Sequence, residues 1–171
     1  MIRKATLEDL DQVMECIEDS REYLKKQNIV QWNAKDGYPN RNTIYDDIIN
    51  GDCYVNIKDG VIAGTCAYAQ YEPEYENIYG NWLTEEDSYI TIHRLSTRLG
   101  YRGIGVAKEL MRYGETYAKN IGKKSIKIDT HPLNMTVQHI ALELGYTLCG
   151  YVFYSRIKVE SKRLIFEKIV K

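Results

Sequence analysis

Two strand-turn-helix units follow one another in the middle of this chain. "YITIHRLST" is rich in β-branched and aromatic residues, breaks at Arg102-Gly103-Ile104-Gly105, and resumes as a helix in which Ala107, Leu110, Met111, Gly114, Tyr117, Ala118 and Ile121 form one stripe. "KKSIKIDTH" is a second strand and Asn134 to Leu144 a second helix. Before them, "MIRKAT" alternates as a short strand, and Thr6 with Asp9 resembles a capping box opening a helix marked by Leu10, Val13, Met14, Ile17 and Leu24. A loop over "NIVQWNAKDGYPNRN" leads to a short helix at "TIYDDIIN". "CYVNI" and "VIAGTCAYAQ", joined through Asp59-Gly60, read as a hairpin. "YEPEYENIYGNWLTEEDS" reads as a long exposed loop or strand end, and "YTLCGYVFYS" and "RLIFEKIVK" as two closing strands. The order β α α β β β α β α β β predicts an α/β sheet, partly antiparallel, with helices on both faces.

The 171 residues, 44% of them hydrophobic, suit one domain over 1–171 with one ordinary core. With 23 Lys and Arg against 24 Asp and Glu, the net charge of -1 gives no warrant for nucleic acid or an anionic membrane as partner, so any anion must be held by a local site. The apolar runs fall far short of the roughly 20 residues that span a bilayer. "MIRKATLEDL" lacks the apolar core of a signal peptide, and a cytoplasmic protein is expected. Cys16, Cys53, Cys66 and Cys149 show neither a C-x-x-C pair nor a histidine at ligand spacing, which predicts buried, reduced thiols and no metal site.

The glycines before the central helix need a reason, because each costs roughly 1 kcal/mol against Ala inside a helix and caps less well than Ser or Asp. A helix N-terminus offers backbone N–H groups and about half a positive charge, and missing Cβ atoms let a phosphate approach. A Walker loop is excluded by spacing and by the missing Lys-Ser/Thr pair. A dinucleotide fingerprint finds Gly103 and Gly105, with Asp129 near the ribose position, but places Lys108 where the third glycine must pack, on a strand that alternates. A tight turn with no ligand is the bland alternative.

Read as R-x-x-G-x-A, Arg102 to Ala107 resembles the acetyl-CoA pyrophosphate loop of the GNAT superfamily of N-acetyltransferases. "IHRLSTRLGYRGIGVAKEL" looks like that family's strand four and helix three, "KSIKIDTHPLN" like its strand five, and "NMTVQHIALELGYTLCGY" like its helix four and the step after it. The resemblance implies a mixed, mostly antiparallel sheet of about seven strands with four flanking helices, and strands four and five splayed. It implies acetyl-CoA as cofactor, with the backbone of Gly103, Ile104, Gly105, Val106 and Ala107 around the pyrophosphate beside Arg102, and Leu95, Ser96 and Thr97 along the pantetheine arm. Asn134 matches the residue that meets the cofactor at the start of helix four, although the spacing to Gly145 is one residue longer than the commoner form.

Acetyl transfer to an amine needs a polarised thioester, a deprotonated amine and a leaving thiolate. The family's strand-four Glu falls at Thr91, which cannot serve. His93 shares that strand face, and a histidine's ordinary pKa near 6.5 suits proton abstraction; a satisfied strand histidine is the plainer reading. His131, at the end of "IDTH" with Asp129 on its face, is a second candidate against an ordinary strand-to-helix turn. The helix-four Tyr that protonates sulfur is replaced by Ala141, so Tyr151, Tyr154 or water must substitute, or the thiolate leaves unprotonated. Trp32 and Tyr38 are candidate walls of the acceptor pocket, and Glu72, with Glu74 and Glu76, could draw in a cationic amine or only keep its loop soluble. The expected activity is acetyl transfer from acetyl-CoA to a small-molecule or amino-acid-like amine, with self-association into a homodimer left open. A non-catalytic acyl-CoA sensor and a nicotinamide oxidoreductase are the competing classes.

Overall fold

The computed structural model describes residues 1–84 and 87–171; Glu85 and Glu86, at the end of the acidic stretch, lie outside it. The elements run β1 (Ile2–Lys4), α1 (Leu10–Lys26), α2 (Arg41–Ile49), β2 (Cys53–Lys58), β3 (Val61–Ala69), β4 (Tyr79–Gly80), β5 (Tyr89–Thr97), α3 (Val106–Asn120), β6 (Ser125–Thr130), α4 (Met135–Glu143), β7 (Thr147–Phe153) and β8 (Lys162–Ile169). They form one sheet in the order β1-β2-β3-β5-β6-β8-β7-β4, and every neighbouring pair is antiparallel except β5 and β6.

The expected order holds, with one strand added. Tyr79–Gly80 pairs with Tyr151 and Gly150 of β7, a match too short to show a sequence period. Asp59 and Gly60 turn the β2–β3 hairpin with φ of 51° and 76°, the left-handed pair a tight hairpin requires. The capping box at Thr6 and Asp9 is present, and it opens a short 3-10 turn that passes into α1 at Leu10.

Alternation along the strands divides the core between the two faces. On one face α3 and α4 cover Ile90, Ile92, Ile126, Ile128 and Phe166 with Leu110, Met111 and Ala141. On the other, α1 and α2 bury Val13, Ile17 and Ile44 against Val55 and Ile62. Farther along that second face, Tyr75 packs with Tyr89, Val152, Tyr154 and Ile165. Tyr75 sits on a 3-10 turn, Pro73–Asn77, so the acidic stretch is not simply an exposed loop: Glu72 and Tyr75 are both buried. All four cysteines are free and buried.

Two irregularities shape the centre of the sheet. β5 and β6 pair only from Tyr89↔Ser125 to Ile92↔Ile128, after which β5 runs on to Thr97 with no partner on that side. On its other side, β3 jumps from pairing Ser96 to pairing His93, and Arg94 takes φ of 55° in the bulge. A bulge bends its strand and re-aims the side chains around it, and here it does so where β5 and β6 part.

Candidate active site

The parted strands open a cleft of about 250 Å³ between α1, α4 and the 31–39 loop. Leu95, Thr97, Arg102, Ala107 and Asn134 line one arm, together with Tyr23, Val137 and Ile140. Trp32, Tyr38, His93, Arg94, Asp129 and Tyr154 line the other. Across the first arm Tyr23 Oη and Thr136 Oγ1 are 3.1 Å apart, so α1 and α4 touch over the groove.

The turn into α3 gives the glycines their reason. Gly103 and Gly105 have φ of 78° and 91°, and a Cβ on either would meet no protein atom within 4 Å, so backbone conformation rather than crowding demands glycine. Among the described residues, none of the N–H groups from Gly103 to Lys108 donates to a protein acceptor; Glu109 is the first, bonding Gly105 O. The Arg102 guanidinium stacks 3.9 Å from the centre of the Tyr23 ring and donates to Ser20 Oγ, while its Nε is buried with no acceptor. Donors in a row at a helix N-terminus and an unmatched guanidinium nitrogen fit the pyrophosphate of coenzyme A. Val106 itself is buried, Ser96 turns its hydroxyl to Arg94 O, and Gly103, Ile104, Gly105, Val106 and Ser96 lie outside the cleft lining. Asn134 caps α4 through Oδ1 on Val137 N.

His93 stands where the strands separate. Its Nε2 is buried, 3.2 Å from Glu72 Oε2 at an angle short of a hydrogen bond; Nδ1, 3.9 Å from Asp129 Oδ2, is the nitrogen open to the cleft. Burial works against ionisation of Glu72, but His93 beside it prevails and holds the carboxyl below its ordinary range. A carboxylate at Nε2 favours the tautomer whose Nδ1 lone pair faces the cleft. Glu72 therefore backs the histidine, is nearly inaccessible, and is not placed to touch a substrate.

Asp129 accepts from Tyr75 Oη at 2.6 Å and Tyr154 Oη at 2.7 Å. Burial first, and the Asp129 charge second, push both phenols well above the ordinary tyrosine value. Arg94 makes a two-pronged pair with Asp47 at 2.6 and 2.7 Å and donates to Tyr38 Oη at 2.6 Å. Arg21 bonds Trp32 O and Pro39 O, so two arginines pin the 31–39 loop over the cleft, with Trp32 and Tyr38 as walls.

His131 is held apart from the other candidates. It lies outside the cleft, with Nδ1 accepting from Leu133 N at 3.0 Å and Nε2 2.8 Å from Glu160 Oε2. Both ring nitrogens are engaged in holding the turn into α4, and burial pushes the imidazole below its ordinary pKa. Tyr151 is also displaced from the chemistry, stacked on Tyr79 at the sheet edge with ring centres 5.1 Å apart. Arg94, Arg156 and Arg163 line the cleft unannounced, since arginine in a strand or loop carries no sequence signal of its own.

The family model for the GNAT acetyltransferases matches residues 17–146. The chain belongs to this family. An acetyltransferase of the GNAT family from Streptococcus agalactiae is 38% identical, with TM-score 0.89 over 100% of this chain and 95% of its own. A Staphylococcus aureus Mu50 protein is 26% identical, with TM-score 0.74 over 100% of this chain and 99% of its own. A ribosomal-protein-alanine N-acetyltransferase from Brucella melitensis, 17% identical with TM-score 0.72 over 99% of both chains, shares the fold. No curated protein matches this GNAT chain. Among the described residues, no helix is long and apolar enough to cross a membrane, and no group of three His, Cys, Asp or Glu is placed to share a metal ion.

Proposed function

We propose that this GNAT chain transfers the acetyl group of acetyl-CoA to the primary amine of a small, amino-acid-like molecule. The observation that carries the reading is His93: a histidine backed by a buried carboxylate, with its free nitrogen in the cleft at the point where β5 leaves β6. The N–H groups from Gly103 to Ala107 and the Arg102 guanidinium hold the pyrophosphate, and the unpaired edge of β5 at Leu95, Ser96 and Thr97 faces the pantetheine arm. Acetyl-CoA supplies a thioester carbonyl open to attack by an uncharged amine.

Asp129 draws an ammonium towards Nδ1, and His93 takes the proton that must leave before nitrogen can attack. The new C–N bond forms as C–S breaks; the first amine proton stays on His93, where Glu72 and Asp129 stabilise the imidazolium, and the second, lost from nitrogen as the amide forms, passes to the departing sulfur or to water. Tyr154 can protonate the departing sulfur only by giving up its hydrogen bond to Asp129; coenzyme A can also leave as thiolate, because a thiol pKa near 8.5 makes that only mildly unfavourable at neutral pH. His131 has no part in this scheme. A cytosolic setting suits the four free, buried thiols.

Purified protein incubated with acetyl-CoA and a panel of primary amines should release thiol and yield N-acetylated product by mass. CoA binding without turnover across the panel would favour the sensor, and NAD(H) binding without CoA affinity would favour the oxidoreductase.

A further inference from the structure

Of the three guanidiniums in the acceptor arm of the cleft, none used by the acetyl-transfer scheme, two have donors left unspent. Arg156 follows β7, with half its side chain exposed. It lies 4.8 Å from the Tyr154 ring centre and 5.3 Å from that of Tyr38, held by stacking. Its one ionic contact, Nη2 to Glu72 Oε2, is 3.9 Å long, and it makes no hydrogen bond among the described residues. Arg163, on β8, is 3% exposed. It spends Nη1 on the carbonyls of Glu160 and Lys162, which leaves its other nitrogens without a hydrogen bond among the described residues, beside the same arm. Arg94 differs, being matched by Asp47 and Tyr38.

A guanidinium oriented by two rings, with its planar donors unspent, is suited to receive a carboxylate in two-pronged fashion. Its place relative to the base matters. The Arg156 and His93 contacts end on the same atom, Glu72 Oε2, so one molecule the size of an amino acid can touch both. The arm thus offers the Asp129 carboxylate for an ammonium and an unmatched fork for a carboxylate, between the aromatic walls of Trp32 and Tyr38.

Resting on the acetyl-transfer reading, we propose that the acceptor carries a free carboxylate next to its amine, and that Arg156, seconded by Arg163, is the residue that recognises it. A peptide N-terminus presents an amide at that place and leaves the fork unmatched, so the site selects free amino acids over peptides.

The test pairs each of the L-amino acids with its carboxamide and its decarboxylated amine, assayed by thiol release. The best amino acid should exceed its own amide and amine in kcat/KM by roughly ten- to hundredfold, the range expected for a charge-assisted pair. Arg156→Gln should raise KM for that amino acid about tenfold or more, leave kcat within a few-fold, and leave KM for the amide unchanged. Arg156→Lys should recover only part of the loss, since an ammonium cannot form the fork. Equal use of acid and amide, or equal KM shifts for both in Arg156→Gln, overturns the carboxylate site and leaves acetyl transfer standing. If no amine is acetylated, calorimetry of the same pairs against CoA-loaded protein decides: tighter binding of the acids, lost in Arg156→Gln, supports the site, and no difference overturns it.

Discussion

Glu72 Oε2 lies 3.2 Å from His93 Nε2, joining the turn at Pro73–Asn77 to the strand that carries the proposed base. In the proposed scheme Glu72 acts through His93, as a positioning residue. Glu72→Gln should lower kcat by about tenfold or more with CoA affinity unchanged, because His93 loses the carboxylate that orients it. The ionised Glu72 also stabilises the fold: its pKa is lowered on folding, so the contribution is complete above the ordinary carboxylate range and is lost as pH falls through the lower, folded value. Urea unfolding should therefore show wild type and Glu72→Gln converging as the solution is acidified.

Tyr154 is the candidate acid, and its own environment changes what a pH profile can show. Because burial and Asp129 raise its pKa well above the ordinary value, the phenol stays protonated through pH 10. The alkaline limb expected of a tyrosine acid is then absent below pH 10 even if Tyr154 serves, and substitution must decide. Tyr154→Phe should cost about tenfold or more in kcat if sulfur takes the phenolic proton, and little if water or no acid serves, with CoA affinity unchanged. Ala141→Tyr cannot restore the family's tyrosine, because Ala141 sits on the fully buried face of α4; it should destabilise the protein by about 1–3 kcal/mol in denaturant unfolding.

The proposed pyrophosphate turn depends on two glycines for conformation and on a third for position. Gly105→Val places a β-branched residue at φ of 91° while clashing with nothing, so the fold should persist as CoA affinity falls by roughly tenfold or more. Calorimetry with CoA alongside circular dichroism checks both halves.

Gly64, on β3, lets Val106 approach, since a Cβ there would stand 2.5 Å from Val106 Cγ1 and 2.9 Å from Ser96 O. Gly64→Ala should push the start of α3 away from the sheet, costing about 1–3 kcal/mol of stability and weakening CoA binding together. Thermal melts with and without CoA would show a lower midpoint and a smaller ligand-induced rise.

The elements legible from sequence were those with a period or a hard stop. β5 and α3 were readable because "YITIHRLST" is strand-like, Gly103 and Gly105 interrupt it, and Leu110, Met111, Gly114 and Ala118 recur on one face. The candidate base could be narrowed to a strand face because the family resemblance puts the expected acid at Thr91 and two-residue alternation links that position to His93. What could not be read was tertiary. Glu72 and Tyr75 sit in a run so acidic that composition points to solvent, yet the fold turns them inward to meet His93 and Asp129. His131 shared a strand end with Asp129, and only the turn at Pro132 and Leu133 shows its ring engaged elsewhere. Arg156 and Arg163 are far apart from His93 in sequence, and no local pattern brings them to one cleft.

The most direct measurement is the turnover of His93→Ala with acetyl-CoA and the best acceptor, taken with its CoA affinity in the same preparation. Loss of about a hundredfold or more in kcat at pH 7, with CoA bound as tightly as by wild type, is the expected result. Turnover near that of wild type in a variant that binds CoA normally would contradict the assignment of His93 as the base on which the account rests.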